Sequence, residues 1–150
     1  MKTRSNENFR THAEWFRTVL EEDITEDVIL CRTSALELLG MFNGFIVEEI
    51  IDVYALEKGK YENVEYHIVE SLDHVQTTTV HGVLCATFEY TVNDMLKDYP
   101  QTDLWALTEA LCNYYAQHND SFDGLKIAPE NAKAFEAIKP DAITYFDGGD

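Results

Sequence analysis

The chain has 150 residues, and with 45% of them hydrophobic it can bury the core of one domain spanning residues 1–150. Its net charge of −17, from 28 acidic against 11 basic side chains, argues against direct binding to nucleic acid or to an anionic membrane. The same charge suits divalent cations or a basic protein surface. No apolar run approaches the ~18 residues that a membrane span needs, and Met1-Lys2-Thr3-Arg4-Ser5 does not open a signal peptide. Cys31, Cys85 and Cys112 form no CxxC pair and sit beside apolar neighbours, so core thiols in a reducing cytoplasm are expected.

In chain order, the first stretch with helical spacing runs from Asn6 to Glu22, with Phe9, Ala13, Phe16 and Leu20 on one stripe. A second runs from Asp27 to Lys58 through Ala35, Leu39, Phe42, Ile46, Ile50 and Val53. Gly40 and Gly44 weaken it, Ser34 can cap a segment within it, and Gly59 ends it. Asn63 can cap a third stretch carrying Val64, Ile68, Leu72 and Val75. The fourth takes Val80, Val83, Leu84, Phe88, Thr91, Met95 and Tyr99 and stops at Pro100. The fifth begins after Thr102 or Asp103 and carries Leu104, Leu107, Leu111, Cys112 and Tyr115. Asn119 to Gly124 reads as a loop, and Pro129 opens a short sixth element ending near Lys139. The stretch Val75 to Tyr90 is rich in β-branched residues but does not alternate apolar with polar. The expected fold is all-α: a helical bundle of four principal helices plus short C-terminal helices.

Two acidic pairs stand out, Glu49-Ile50-Ile51-Asp52 and Glu70-Ser71-Leu72-Asp73, 21 residues apart. On helices, each pair shares a face. Glu49 falls inside the apolar arc centred on Ile46, where an unpaired carboxylate would be costly without a metal or partner, and Asp52 falls at its edge. Glu70 and Asp73 lie opposite Ile68, Leu72 and Val75. Four hard oxygen donors brought together by neighbouring helices would hold Mg²⁺, with Mn²⁺ as a substitute, and so point to phosphate chemistry.

The stretch Val47-Glu48-Glu49-Ile50-Ile51-Asp52, then Gly59, then Glu70-Ser71-Leu72-Asp73, resembles the signature of the all-α NTP pyrophosphohydrolases, the MazG-like and dimeric dUTPase-like superfamily. The resemblance covers about residues 36–99. It implies a helical core completed by homodimerisation and Mg²⁺-dependent cleavage of a nucleoside triphosphate to the monophosphate and pyrophosphate. It also implies Glu49, Asp52, Glu70 and Asp73 as metal ligands, with Glu49 as the catalytic carboxylate. Asn93 and Lys97 are loose counterparts of the family's phosphate-holding residues. In this family Asp52 replaces a more usual Glu.

Two other readings compete. His67, Glu70 and His74 lie within two helical turns, and with His81 they could form a transition-metal site. Alternatively, the chain does no chemistry. Rows of carboxylates such as Glu21-Glu22-Asp23, Glu26-Asp27, Glu48-Glu49, Asp94, Asp98, Asp120, Asp123, Asp147 and Asp150 can imitate DNA and occupy a basic partner. Carboxylates converging from two helices within metal-bridging distance would favour the enzyme, and clustered outward ones with no convergent site the interaction protein.

Overall fold

A computed structural model describes residues 27–42, 50–80 and 82–145. The chain is α/β, not all-α. Five strands, β1 (Ile29–Leu30), β2 (Ile51–Ala55), β3 (Val64–Ile68), β4 (Thr77–Val80) and β5 (Val83–Ala86), form one mixed sheet in the order β3-β2-β1-β5-β4. Four helices are described: α1 (Arg32–Leu38), α2 (Phe88–Lys97), α3 (Leu104–Gln117) and α4 (Ala132–Ile143), the last preceded by a 3₁₀ turn over Pro129–Asn131. The expected bundle is therefore corrected at two of its four principal helices and at the start of a third. The stretch expected to be helical up to Lys58 ends in β2, and the one expected over Asn63 to Val75 contains β3. The first half of the stretch from Val80 is β5, and only its second half is α2. The stretch from Asn6 to Glu22 lies outside the described residues, as do Gly44 and Glu49.

The physical reason is visible in the residues. β2 contains Ile51, Val53 and Tyr54, β3 contains Val64, Tyr66 and Ile68, and β4 is Thr77-Thr78-Thr79-Val80. Branched and aromatic side chains fit a pleated surface better than a helix. β2 has neighbours on both sides and is covered on both faces, so it lacks the polar alternation that betrays a half-exposed strand.

β2 and β3 run parallel, Asp52 opposite Glu65 and Tyr54 opposite His67, although only Leu56 to Asn63 connect them. The crossover fits because it lies tightly on Tyr66. A β-carbon on Gly59 would meet the Tyr66 hydroxyl and ring, and the Tyr61 amide donates to that hydroxyl at 3.4 Å. One sheet face, with Leu30, Ile51, Val53, Val64, Val83 and Cys85, packs on Ala35 and Leu38 of α1. The other, with Ile29, Cys31, Tyr54 and Ala86, packs on Val75 and on Tyr90 of α2. A second core joins Leu36, Met41 and Phe42 to α2, α3 and α4. Helix α1 thus serves both cores.

Helix ends follow the sequence closely. Gly40, at φ 76°, closes α1: its amide donates to Glu37 O at 3.1 Å and the Met41 amide to Leu36 O at 2.9 Å, while Leu36 and Met41 share the core. This is the paired bond of a Schellman stop, which needs the left-handed conformation glycine adopts freely. Thr87 caps α2 through Tyr90 N, and Asp103 caps α3 through Ala106 N, the second as the sequence leads one to expect. Helix α4 runs on through Pro140 to Ile143, past the expected end near Lys139. The three cysteines are buried and unbridged. Among the described residues no helix is long and apolar enough to cross a membrane.

Candidate functional site

The polar residues that the fold brings together sit where β1 passes into α1. Alternation along β2 puts Asp52 and Tyr54 on the sheet face that meets α2. The parallel register then sets His67 of β3 within reach, and its Nε2 lies 3.0 Å from Asp52 Oδ1. The Asp52 amide donates to Ser34 Oγ at 2.9 Å, tying the strand to the first turn of α1. From α2, Asp94 accepts from Arg32 Nε at 3.1 Å and from the Tyr54 hydroxyl on the same oxygen, Oδ2. Arg32 Nη1 reaches Asp98 Oδ2 at 3.2 Å. Tyr90 packs edge-on against Tyr54, with ring centroids 6.0 Å apart. Arg32 adopts φ 49°, the left-handed region that a non-glycine residue enters at a cost of ~1–2 kcal/mol. The two carboxylates that its side chain reaches offset that cost.

Burial dominates the electrostatics of this cluster. Burial, then the negative charge of Asp52, raises the Cys31 thiol well above its ordinary value, so it stays protonated and a poor nucleophile. Cys31, which follows β1, donates its backbone amide to Asp52 O at 2.9 Å, while His67 on β3 bonds the Asp52 carboxylate. Burial pushes the Tyr54 hydroxyl up as well, helped by its bond to Asp94. Burial opposes the Arg32 charge, yet Asp94 more than compensates, and the guanidinium is held more firmly protonated than usual.

Glu37, buried in α1, is the strongly perturbed carboxyl. Burial, then the fields of Asp52 and Asp103, raise it from 4.5 to about 8. The unfolded chain releases this proton near its ordinary value, whereas the folded chain keeps it to about pH 8. Between those limits the native state binds more protons, so stability is full in acid and falls as pH rises. Glu37→Gln removes the titration. In urea unfolding from pH 5 to 8, the wild type is expected to lose roughly 2–3 kcal/mol that the variant keeps. Parallel stability curves for the two proteins would contradict the assignment.

The described members of the sequence-derived site, Asp52, Glu70 and Asp73, stand on different segments. Asp52 is on β2 and bonds His67, Glu70 lies exposed just after β3, and Asp73 lies exposed in the connection to β4, its amide bonded to Ser71 Oγ at 3.1 Å. Glu49 is outside the described residues. The helices expected to aim these carboxylates at one point are strand and loop, and among the described residues no three His, Cys, Asp or Glu side chains are grouped to hold a metal ion. Of the residues in the histidine reading, His67 is on β3, His74 is exposed in the following loop, and His81 is outside the described residues. Comparison with models of known protein families and with curated proteins finds no match.

Asn93 and Lys97, expected to hold phosphate, are both on α2 and do different things. Asn93 is a peg for the segment leading into α4. Its Nδ2 donates to Glu89 O and Lys126 O, both at 2.9 Å, and its Oδ1 accepts from Ala128 N at 2.8 Å and Asn131 Nδ2 at 3.0 Å. Lys97 is exposed and lines a groove between the end of α2 and the start of α4. Sequence reasoning missed Arg32 and Tyr54. The signal for their cluster was there in Asp94 and Asp98: like charges four apart on a helix repel, and a cation between them relieves it.

Proposed function

We propose that the chain is a non-enzymatic acidic interaction protein that docks on a basic protein surface. The observation that carries this reading is a cluster of outward carboxylates at one end of the sheet. The end of the sheet at β3 and its flanks carries Glu57, Glu62, Glu65, Glu70 and Asp73, all exposed, against Lys58 and Lys60. At the same end Leu56 is 54% and Ile68 56% exposed, and Ile68 pairs with Ala55, the residue before Leu56. Apolar side chains with a charged surround have the anatomy of an interface, with the apolar spot for affinity and the charges for orientation and fast encounter. Mimicry of DNA is the finer form of this reading, in which the basic partner is a nucleic-acid-binding protein.

The pyrophosphohydrolase reading depends on two helices that the fold replaces with strand and loop, so it is the second reading. A pair of synthetic peptides tests the first. One alternates Arg with Leu, and the other alternates Arg with Ser at equal charge. The Arg/Leu peptide is expected to bind about 10-fold more tightly, an advantage lost in Leu56→Ser/Ile68→Ser, and both affinities should fall with added salt. Equal binding of the two peptides would contradict an apolar anchor at this end. Incubation with each nucleoside triphosphate and Mg²⁺ or Mn²⁺ is expected to release no pyrophosphate. Release that disappears in Asp73→Asn would establish the enzyme instead.

A further inference from the structure

We propose that the groove between the end of α2 and the start of α4 binds a small organic monoanion with a flat apolar body. The groove has a volume of about 480 Å³ and is lined by Lys97, Lys133, Glu130, Tyr99, Ala134 and Ala137 among others. That volume is within the range of small-molecule sites, and its walls have the required mixture of apolar surface and a few charged groups.

Charge selects the ligand. Basic side chains number 11 against 28 acidic ones, so carboxylates are plentiful as partners for a lysine in this chain. Arg32 engages two of them, and Lys139 pairs with Glu136. Lys97 and Lys133 make no ion pair among the described residues, although both line the same groove as Glu130. The position of Lys133 strengthens the case. It is the second residue of α4, where the helix dipole disfavours a cation, and the first turn of α4 contains no acidic residue. An anion seated in the groove would relieve both ammonium groups. Two ammoniums and one carboxylate leave a single positive charge, which matches a monoanion. The ring of Tyr99 and the Ala134 and Ala137 side chains offer its apolar part a wall. At physiological salt the screening length is ~8 Å, so the two lysines dominate locally over the negative charge of the rest of the surface.

The probe is 2-naphthoate, titrated into the full chain at 0.15 M salt while the backbone amide resonances are followed by NMR. Saturable shifts at Lys97, Ala134 and Ala137 are expected, and about 10-fold weaker binding of the neutral isostere 2-naphthamide. Lys97→Gln and Lys133→Gln should each weaken naphthoate several-fold, and Ala137→Trp, which fills the groove, should abolish the shifts. These positions are exposed, so the variants are expected to fold, as far-UV circular dichroism would verify. Absence of saturable shifts at millimolar ligand, equal affinity for naphthamide, or undiminished binding in the double lysine variant would overturn the proposal. Inorganic phosphate binding as tightly as naphthoate would overturn the apolar part of it.

Discussion

Asn93→Ala is expected to lower the unfolding free energy by about 3–4 kcal/mol, and the melting temperature by roughly 10 °C. The loss is large because one side chain uses both ends of its amide. The NH₂ group binds two carbonyls, Glu89 O and Lys126 O, and the oxygen takes the Ala128 amide and the Asn131 side chain. Asn131 is 2% exposed and also donates to Asn93 O, so truncation leaves a buried amide short of a partner. Leaving such donors unsatisfied costs ~1–3 kcal/mol each, more than the net worth of the bonds themselves. Asn93→Asp discriminates further. Its carboxylate can still accept from Ala128 and Asn131, but its second oxygen then faces two carbonyl oxygens. That variant should be destabilised at neutral pH and recover in acid, where a protonated carboxyl donates again. An Asn93→Ala protein within about 1 kcal/mol of wild type would contradict the peg.

Asp94→Ala is expected to cost about 3 kcal/mol, in thermal or urea unfolding, for a different reason. It strips the acceptor from the Tyr54 hydroxyl and the nearer carboxylate from Arg32 at once. Arg32 then keeps only Asp98, which is half exposed, against the standing cost of its left-handed backbone. The coupling is measurable. Arg32→Ala on its own leaves Asp94 with the tyrosine alone, and once one partner is gone, losing the other matters less. The double variant should therefore be ~1–2 kcal/mol more stable than the sum of the single losses predicts. Strictly additive losses would show that the two side chains do not act as a unit.

How far the sequence could be read depends on the physics of each element. Helices α2 and α3 were legible because each has an apolar stripe at helical spacing and a marked boundary: Pro100 after the first, the Asp103 cap before the second. The start at Pro129 was legible as well. The strands were not, although branched residues are dense in them. β2 is buried on both faces, and its Val53, with Ile50 just before the strand, extends the helical line of the preceding residues. β4 and β5 have four residues each, too few for a period to declare itself against the apolar neighbours of α2. One mistaken period moved the candidate site. The acidic spacing at Asp52 and at Glu70 and Asp73 has meaning as a shared face only on a helix. On strand and loop the same residues separate, and Asp52 turns to His67. Asn93 and Lys97 stood out only as loose counterparts of phosphate-holding residues, and spacing alone does not reveal that one holds a loop and the other lines a groove.

The central claim is that one acidic end of the sheet, rather than acidity in general, makes the contact. Two variants with equal charge change decide it. In one, Glu62→Gln, Glu65→Gln, Glu70→Gln and Asp73→Asn neutralise the β3 end. In the other, Asp120→Asn, Asp123→Asn, Glu136→Gln and Asp141→Asn neutralise exposed carboxylates of α4 and the loop before it. The measurement is the affinity of each for the Arg/Leu peptide at physiological salt. The account predicts a loss of about 10-fold or more for the first variant and little change for the second. Equal losses in the two would mean that net charge alone attracts the peptide, and would contradict a docking surface at β3.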